Sequence, residues 1–220
     1  MLPARELVAE ALARAGAQID PADVPGAHYA AVRALDRDQV PGGREPWASA
    51  LCVALGVCDE DAVTALTEMA DRSRSGRVLW SEPTPGAMET IGALRRAGVA
   101  VVIVTNSDGH AAENLRDAGI LAASGLDESD VIDSVVVGSS KPDPGIFEAA
   151  LERAGVGHGE AVHVGDMLST DVRGATAVGI TAIHFDPRRG CRARDHRHVR
   201  SLPGIWAHLR RSEDAFSGRL

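Results

Sequence analysis

The sequence is almost devoid of lysine. Of 23 basic side chains in 220 residues, Lys141 is the one lysine and the rest are arginine. Such a bias suggests GC-rich coding, and where arginine is the default cation a lone lysine marks a place for a compact point charge. Cysteine is also scarce. Cys52, Cys58 and Cys191 form no CxxC pair and no metal-ligand spacing, and an odd count reads as free thiols in a reducing compartment. Aromatic residues make up only 3% of the chain, which argues against recognition by base or sugar stacking. A net charge of −8 argues against a nucleic-acid groove. No apolar run approaches the ~20 residues of a membrane span. Charges interrupt the opening MLPARELVAEALARAG, so it is not a signal peptide. The expectation is a cytoplasmic protein whose partner is neither nucleic acid nor membrane.

What is present is an ordinary globular balance, 45% apolar and 25% charged. The length allows one large domain or a core with a smaller companion. Residues 1–80 read as helical. Leu7, Val8, Ala11, Leu12 and Ala15 share a helical face. A second helix lies around His28–Leu35, residues 39–46 form a Pro/Gly loop, a third helix runs from Trp47 to Gly56, and a fourth from Asp59 to Arg74. Val78–Trp80 is a possible short strand. After Pro83 the pattern alternates. Thr84 caps a helix with Pro85 first, and Gly98 closes it. Strands are expected at Val99–Val104, Val131–Val137, Ala161–Val164 and Ile180–Phe185. Helices are expected at His110–Ala118, Pro144–Ala154 and Ser169–Ala177, with a short strand and a last helix in the tail. This alternation predicts an α/β fold, a Rossmann-like parallel sheet with helices on both faces, over residues 81–220, and an all-helical unit over residues 1–80.

Parallel sheets place ligands at the carboxyl ends of their strands. Thr105-Asn106-Ser107 follows the first run, Lys141 lies past the second, and Gly165-Asp166 with Asp171 follows the third. A hydroxyl with nearby amides, an ammonium and paired carboxylates suit a phosphate and a hard divalent cation such as Mg2+. Each has a plainer reading: Thr105 or Ser107 as a helix cap, Asp166 as an N-cap, Lys141 as a solvated surface cation. Their joint occurrence at three strand ends favours the site.

The set TNS, KPDPGIFEAAL and VGDMLSTDVRGA resembles motifs two to four of the haloacid dehalogenase superfamily. Thr105 to Lys141 spans 36 residues, Lys141 to Asp166 another 25, and Asp171 follows 5 later. The similarity covers roughly residues 81–205, and the preceding helices look like the family's helical cap. The resemblance implies that Thr105 and the Asn106 amide bind phosphoryl oxygens. It implies that Lys141 holds nucleophile and phosphoryl group together, and that Asp166 ligates Mg2+ with Asp171 doing so directly or through water. The substrate would be a small phosphorylated metabolite, and the route an aspartyl-phosphate.

The family's first motif, DxDx[TV], supplies the nucleophile at the end of a central strand. The literal match is Asp36-Arg37-Asp38-Gln39-Val40, yet it follows a helical stretch and precedes a Pro-Gly-Gly loop, so it reads as a charged helix end. The nucleophile is therefore unassigned. Without that strand the flanking strands would lose a partner, and each unpaired buried group costs ~1–3 kcal/mol. The expectation is that another segment fills the slot or that the chain begins too late by about 15–25 residues, a length implied by the resemblance. Three readings stay open: a Mg2+-dependent phosphatase, an inactive relative that binds without turnover, and a metal-independent 2-haloacid dehalogenase. The histidine spacing suggests no zinc site. The stretch DPRRGCRARDHRHVR reads as a solvated connection, with anionic-substrate binding as the alternative. Oligomeric state is not readable.

Overall fold

The computed structural model describes residues 1–40, 43–71 and 78–209. Its first part is four helices, α1 (Arg5–Arg14), α2 (Val24–Asp38), α3 (Arg44–Ala54) and α4 (Glu60–Asp71). They enclose one apolar cluster built on Val8, Leu12, Val24, Leu51 and Leu66, all fully buried. The residues expected to extend the fourth helix to Arg74, and Pro41 and Gly42 of the expected loop, lie outside the described residues. The rest of that loop is shorter than expected, because α3 already starts at Arg44. Val78–Trp80 is not a strand. The nearby pairing is a single antiparallel bridge between Leu2 and Glu82.

The second part alternates α5 (Ala87–Arg96), β1 (Ile103–Thr105), α6 (Ala111–Asp117), α7 (Ile120–Ser124), β2 (Val131–Asp133), α8 (Ser134–Val137), α9 (Pro144–Ala154), β3 (Val162–Gly165), α10 (Arg173–Ala177), β4 (Thr181–Phe185) and β5 (Arg197–Val199). Local chemistry sets several boundaries. Proline opens α9 and Gly155, at φ 69°, closes it, because proline fixes a helical φ and glycine tolerates the left-handed cap. Thr84 does not cap α5; Gly86 stands there and the helix starts at Ala87. The expected strand Val131–Val137 is half strand and half helix. The buried Asp133 side chain accepts the Val135 N–H at 3.0 Å and turns the chain into α8. Val135 and Val136 are then exposed rather than core. In the tail, β5 is present and residues 205–209 are helical; the remainder lies outside the described residues. Among the described residues no helix is long and apolar enough to cross a membrane.

All strand pairs are parallel, as the alternation predicts, but the strands form two sheets, β1–β2 and β3–β4–β5. Both rest on α9, whose Ile146, Phe147 and Leu151 share a cluster with Val102 and Val104 on one side and Ala161, Ile180 and Ala182 on the other. Among the described residues no strand pairs with the second edge of β1 or of β3. Burial records the difference. β4, paired on both edges, buries its last four residues, whereas every residue of β1 and β3 is only half-buried. The run Val99–Val104 yields a ladder of three residues, Ile103–Thr105, hydrogen-bonded along one edge.

Candidate active site

The carboxyl ends of β1 and β3 meet at Lys141. Asn106, just past β1, clasps the lysine's backbone from both sides. Its Nδ2–H donates to the Lys141 carbonyl at 2.9 Å, and its Oδ1 accepts the Lys141 N–H at 2.8 Å. Held there, the Lys141 ammonium donates to the Val104 carbonyl at 3.2 Å and to Asp171 Oδ1 at 2.7 Å. The ammonium thus sits against the backbone at the end of β1. Thr105 is the last residue of β1, in register with Asp133.

Asp171 is enclosed, its side chain 5% exposed. Oδ1 also meets His163 Nε2 at 3.0 Å, and Oδ2 accepts the Met167 N–H at 3.1 Å. Burial alone pushes its carboxyl up. The Lys141 ammonium and His163 outweigh that and hold it well below the usual carboxylate range. The glycine of the Gly165-Asp166 pair has a plain cause: a Cβ at Gly165 would overlap the Asp171 carboxylate. Asp171 itself lies in a π-turn, Leu168–Val172, that opens into α10.

Asp166 differs from its neighbour. Its side chain is one-third exposed, and Oδ2 lies 3.5 Å from Nε2 of His28 on α2. Trp47 donates its indole N–H to His28 Nδ1 at 3.2 Å, which leaves the imidazole proton on Nε2, facing Asp166. The next residue, Tyr29, is also tuned by the site. Burial, then the Asp166 charge, pushes its phenol up to about 12. The Met1 amine lies in the same field. Burial lowers its pKa, and Asp166 opposes this.

The Asp36-Arg37-Asp38 match is the end of α2, as its context implied. Asp38 is exposed and pairs with Arg37 at 2.7 Å. Asp36 instead binds the π-turn: its carboxylate accepts the Leu168 N–H at 2.7 Å, the Ser169 N–H at 2.9 Å and the Ser169 hydroxyl at 2.6 Å. A carboxylate held by three donors is a dock between α2 and the π-turn, not a free nucleophile. The structure thus brings Asn106, Lys141, Asp171 and the end of β1 into direct contact and sets Asp166 beside them. Sequence reasoning noted His163 as a histidine near a strand end without giving it a site role, and it missed His28 and the docking by Asp36. His28 and Asp36 carry no local signal, because the site groups they meet, Asp166 for His28 and Leu168 and Ser169 for Asp36, lie more than a hundred residues away.

Parallel strands between helices, with charges gathered at the strands' carboxyl ends, define a Rossmann-like α/β core. Within that class the chain belongs to the haloacid dehalogenase-like hydrolases, whose family model matches residues 4–179. It is 37% identical over 127 residues to haloacid dehalogenase-like hydrolase domain-containing protein 3 of Mus musculus, covering 57% of this chain and 48% of that one. It is 38% identical over 112 residues to phosphoserine phosphatase of Thermus thermophilus, covering 50% and 43%. The chain therefore spans about half the length of the curated relatives it matches. Among solved structures, the HAD-hydrolase YfnB of Bacillus subtilis superposes with a TM-score of 0.62 at 16% identity, over 94% of this chain and 91% of that one. That likeness concerns the fold alone.

Proposed function

We propose that the chain is a Mg2+-dependent phosphatase of a small phosphorylated metabolite, working through an aspartyl-phosphate, with residues 1–80 as its cap and residues 81–220 as its core. One observation carries the reading. Two acidic residues five apart are treated oppositely: Asp171 is buried against Lys141, while Asp166 keeps a partly exposed carboxylate. Such a donor set fits Mg2+, which takes one or two carboxylates and fills its other positions with water and substrate oxygens. Asp166 would hold the ion, with Asp171 reaching it through water while anchoring Lys141. Bound there, Mg2+ would supply charge neutralisation on the phosphoryl oxygens.

The chain's own residues would do the rest. Thr105 and the Asn106 amide would orient the phosphoryl group, and Lys141 would hold it against the nucleophile by charge. Attack by an Asp carboxylate would form an acyl phosphate and release the alcohol, which takes a proton; water would then hydrolyse the acyl phosphate. The nucleophile is unassigned; Asp36 docks the π-turn through three donors, which speaks against that role for it. Arg33 and Arg188 line a cleft beside Asp166, which suits an anionic substrate. A relative that acts on phosphoserine by name agrees with the substrate class.

The divided sheet favours a second reading, in which this chain binds phosphate without turnover. Phosphate release from a panel of small phosphomonoesters, with Mg2+ and with chelator, separates the readings. Mg2+-dependent release lost in Asp166→Asn supports the phosphatase. Phosphate binding without release supports the second reading. Halide release from 2-haloacids in excess chelator would overturn both in favour of a dehalogenase.

A further inference from the structure

Next to this site, on β4, β5 and the connection between them, His184, Cys191, His196 and His198 come together. Each offers one ligand atom, and these atoms all lie within 4.8 Å of one another. The hydrogen bonds around them leave lone pairs for a common ligand. His184 Nε2–H donates to the Asp166 carbonyl at 3.2 Å, which leaves Nδ1 unprotonated. That Nδ1 is buried with no hydrogen-bond partner, in a residue only 5% exposed. His198 Nε2 is likewise buried and unpartnered. An orphaned buried polar atom costs ~1–3 kcal/mol, and two in one cluster call for a shared partner. His196 Nδ1 bonds to the Asp195 carboxylate at 2.7 Å, which turns Nε2 toward Cys191 Sγ, 3.6 Å away. A carboxylate behind an imidazole is the usual support of a metal-bound histidine.

The loop is built before any ion arrives. Asp186, 8% exposed, accepts the Gly190 and Cys191 N–H groups, each at 2.9 Å, and its own N–H donates to Val199 at 2.9 Å. Cys191 is thereby fixed opposite the three imidazoles, whose ring centroids lie 4.4–5.4 Å apart.

We propose that His184, Cys191, His196 and His198 form a structural Zn2+ site. Three imidazole nitrogens and one thiolate are a borderline-soft donor set that suits Zn2+ and not Mg2+ or Ca2+. Four protein ligands close a tetrahedral shell and leave no position for substrate, so the role is structural. With Zn–N of about 2.0–2.1 Å and Zn–S of about 2.3 Å, ligand atoms would sit about 3.3–3.8 Å apart, so binding draws the cluster in by rotation of side chains. On binding, the Cys191 thiol gives its proton to solvent, and the imidazoles bind neutral. The ion would pin the connection that carries Arg188 to the cleft beside Asp166. The sequence hid this site because its ligands follow no familiar finger spacing and His184 lies inside β4 between the apolar Ile183 and Phe185.

The test is metal analysis of the 220-residue protein, followed by Co2+ titration of the metal-free form. About one Zn2+ per chain is expected, and Co2+ should give tetrahedral visible bands with a thiolate-to-cobalt charge-transfer band. Cys191→Ser should abolish the charge-transfer band, whereas Cys58→Ser should keep it. Asp195→Asn alters an exposed side chain and leaves the ligands in place; it should weaken Co2+ affinity ~10–100-fold. Asp166→Asn should leave the Zn2+ content unchanged, which separates this site from the Mg2+ reading. A Co2+ spectrum without the thiolate band, or a Zn2+ content lost in Asp166→Asn but kept in Cys191→Ser, would overturn the proposal.

Discussion

Lys141→Met removes an ammonium and keeps most of its stem. In the wild type that ammonium lies 2.7 Å from Asp171 Oδ1, with the two side chains 13% and 5% exposed. The variant leaves a buried carboxylate with the His163 ring and the Met167 N–H as its remaining partners. Breaking a buried pair from one side costs ~3–5 kcal/mol, and two surviving hydrogen bonds place the loss at the lower end, about 3 kcal/mol. That is a large share of the ~5–15 kcal/mol of a typical domain. With a urea m-value of roughly 2 kcal/mol/M, the midpoint should fall by about 1.5 M. The assay is equilibrium urea unfolding of four proteins: wild type, Lys141→Met, Asp171→Asn and the double variant. Because the double variant no longer buries a lone charge, it should recover much of the loss, giving a coupling within ~0.5–3 kcal/mol. A Lys141→Met cost under about 1 kcal/mol, or strict additivity in the double variant, would refute the reasoning. Lys141→Arg keeps the charge but replaces a compact ammonium with a planar fork, so phosphate binding should be largely lost.

Three other outcomes follow from the geometry. Gly165→Ala should destabilise by ~1–3 kcal/mol, because the new Cβ meets the Asp171 carboxylate; thermal unfolding checks it, and an unchanged midpoint would contradict the packing. Asp36→Ala should cost ~0.5–2 kcal/mol by uncapping the π-turn, while Asp38→Ala, exposed beside Arg37, should leave the urea midpoint unmoved. Tyr29 is the chain's single tyrosine, so its ionisation is directly visible by absorbance, and its phenol should titrate near 12. The raised pKa stabilises the fold fully below the unfolded value near 10, and that stability is lost as pH rises through the folded value of about 12. Asp166→Asn should lower the Tyr29 midpoint, and an unshifted midpoint would deny the proximity of the two groups.

Much of the α/β order was legible because its signals are local. Pro144 and Gly155 bracket α9 where proline and glycine chemistry demands, and Val162–Gly165 and Thr181–Phe185 overlap the expected strands Ala161–Val164 and Ile180–Phe185. The misjudged boundaries depended on distant partners. Val131–Val137 looks like one strand until the Asp133 carboxylate turns it, while also accepting the Gly109 and Ala111 N–H groups from another segment. Val99–Val104 has strand composition, but hydrogen bonding along one edge yields three strand residues. The site divides in the same way. Asp166 stands at the end of β3, and Lys141 and Asp171 lie in the segments that follow β2 and β3, so all three could be found by position, whereas His28 and Asp36 reach them from α2 by tertiary packing alone.

The most direct measurement of the central claim is calorimetric titration of inorganic phosphate into the 220-residue protein, with and without Mg2+. It tests the phosphoryl site whatever supplies the nucleophile. The account predicts that Mg2+ tightens phosphate binding, that phosphate tightens Mg2+ binding by the same factor, and that Asp166→Asn removes the coupling while Lys141→Met removes the phosphate binding. Phosphate affinity indifferent to Mg2+ and unchanged in both variants would contradict it.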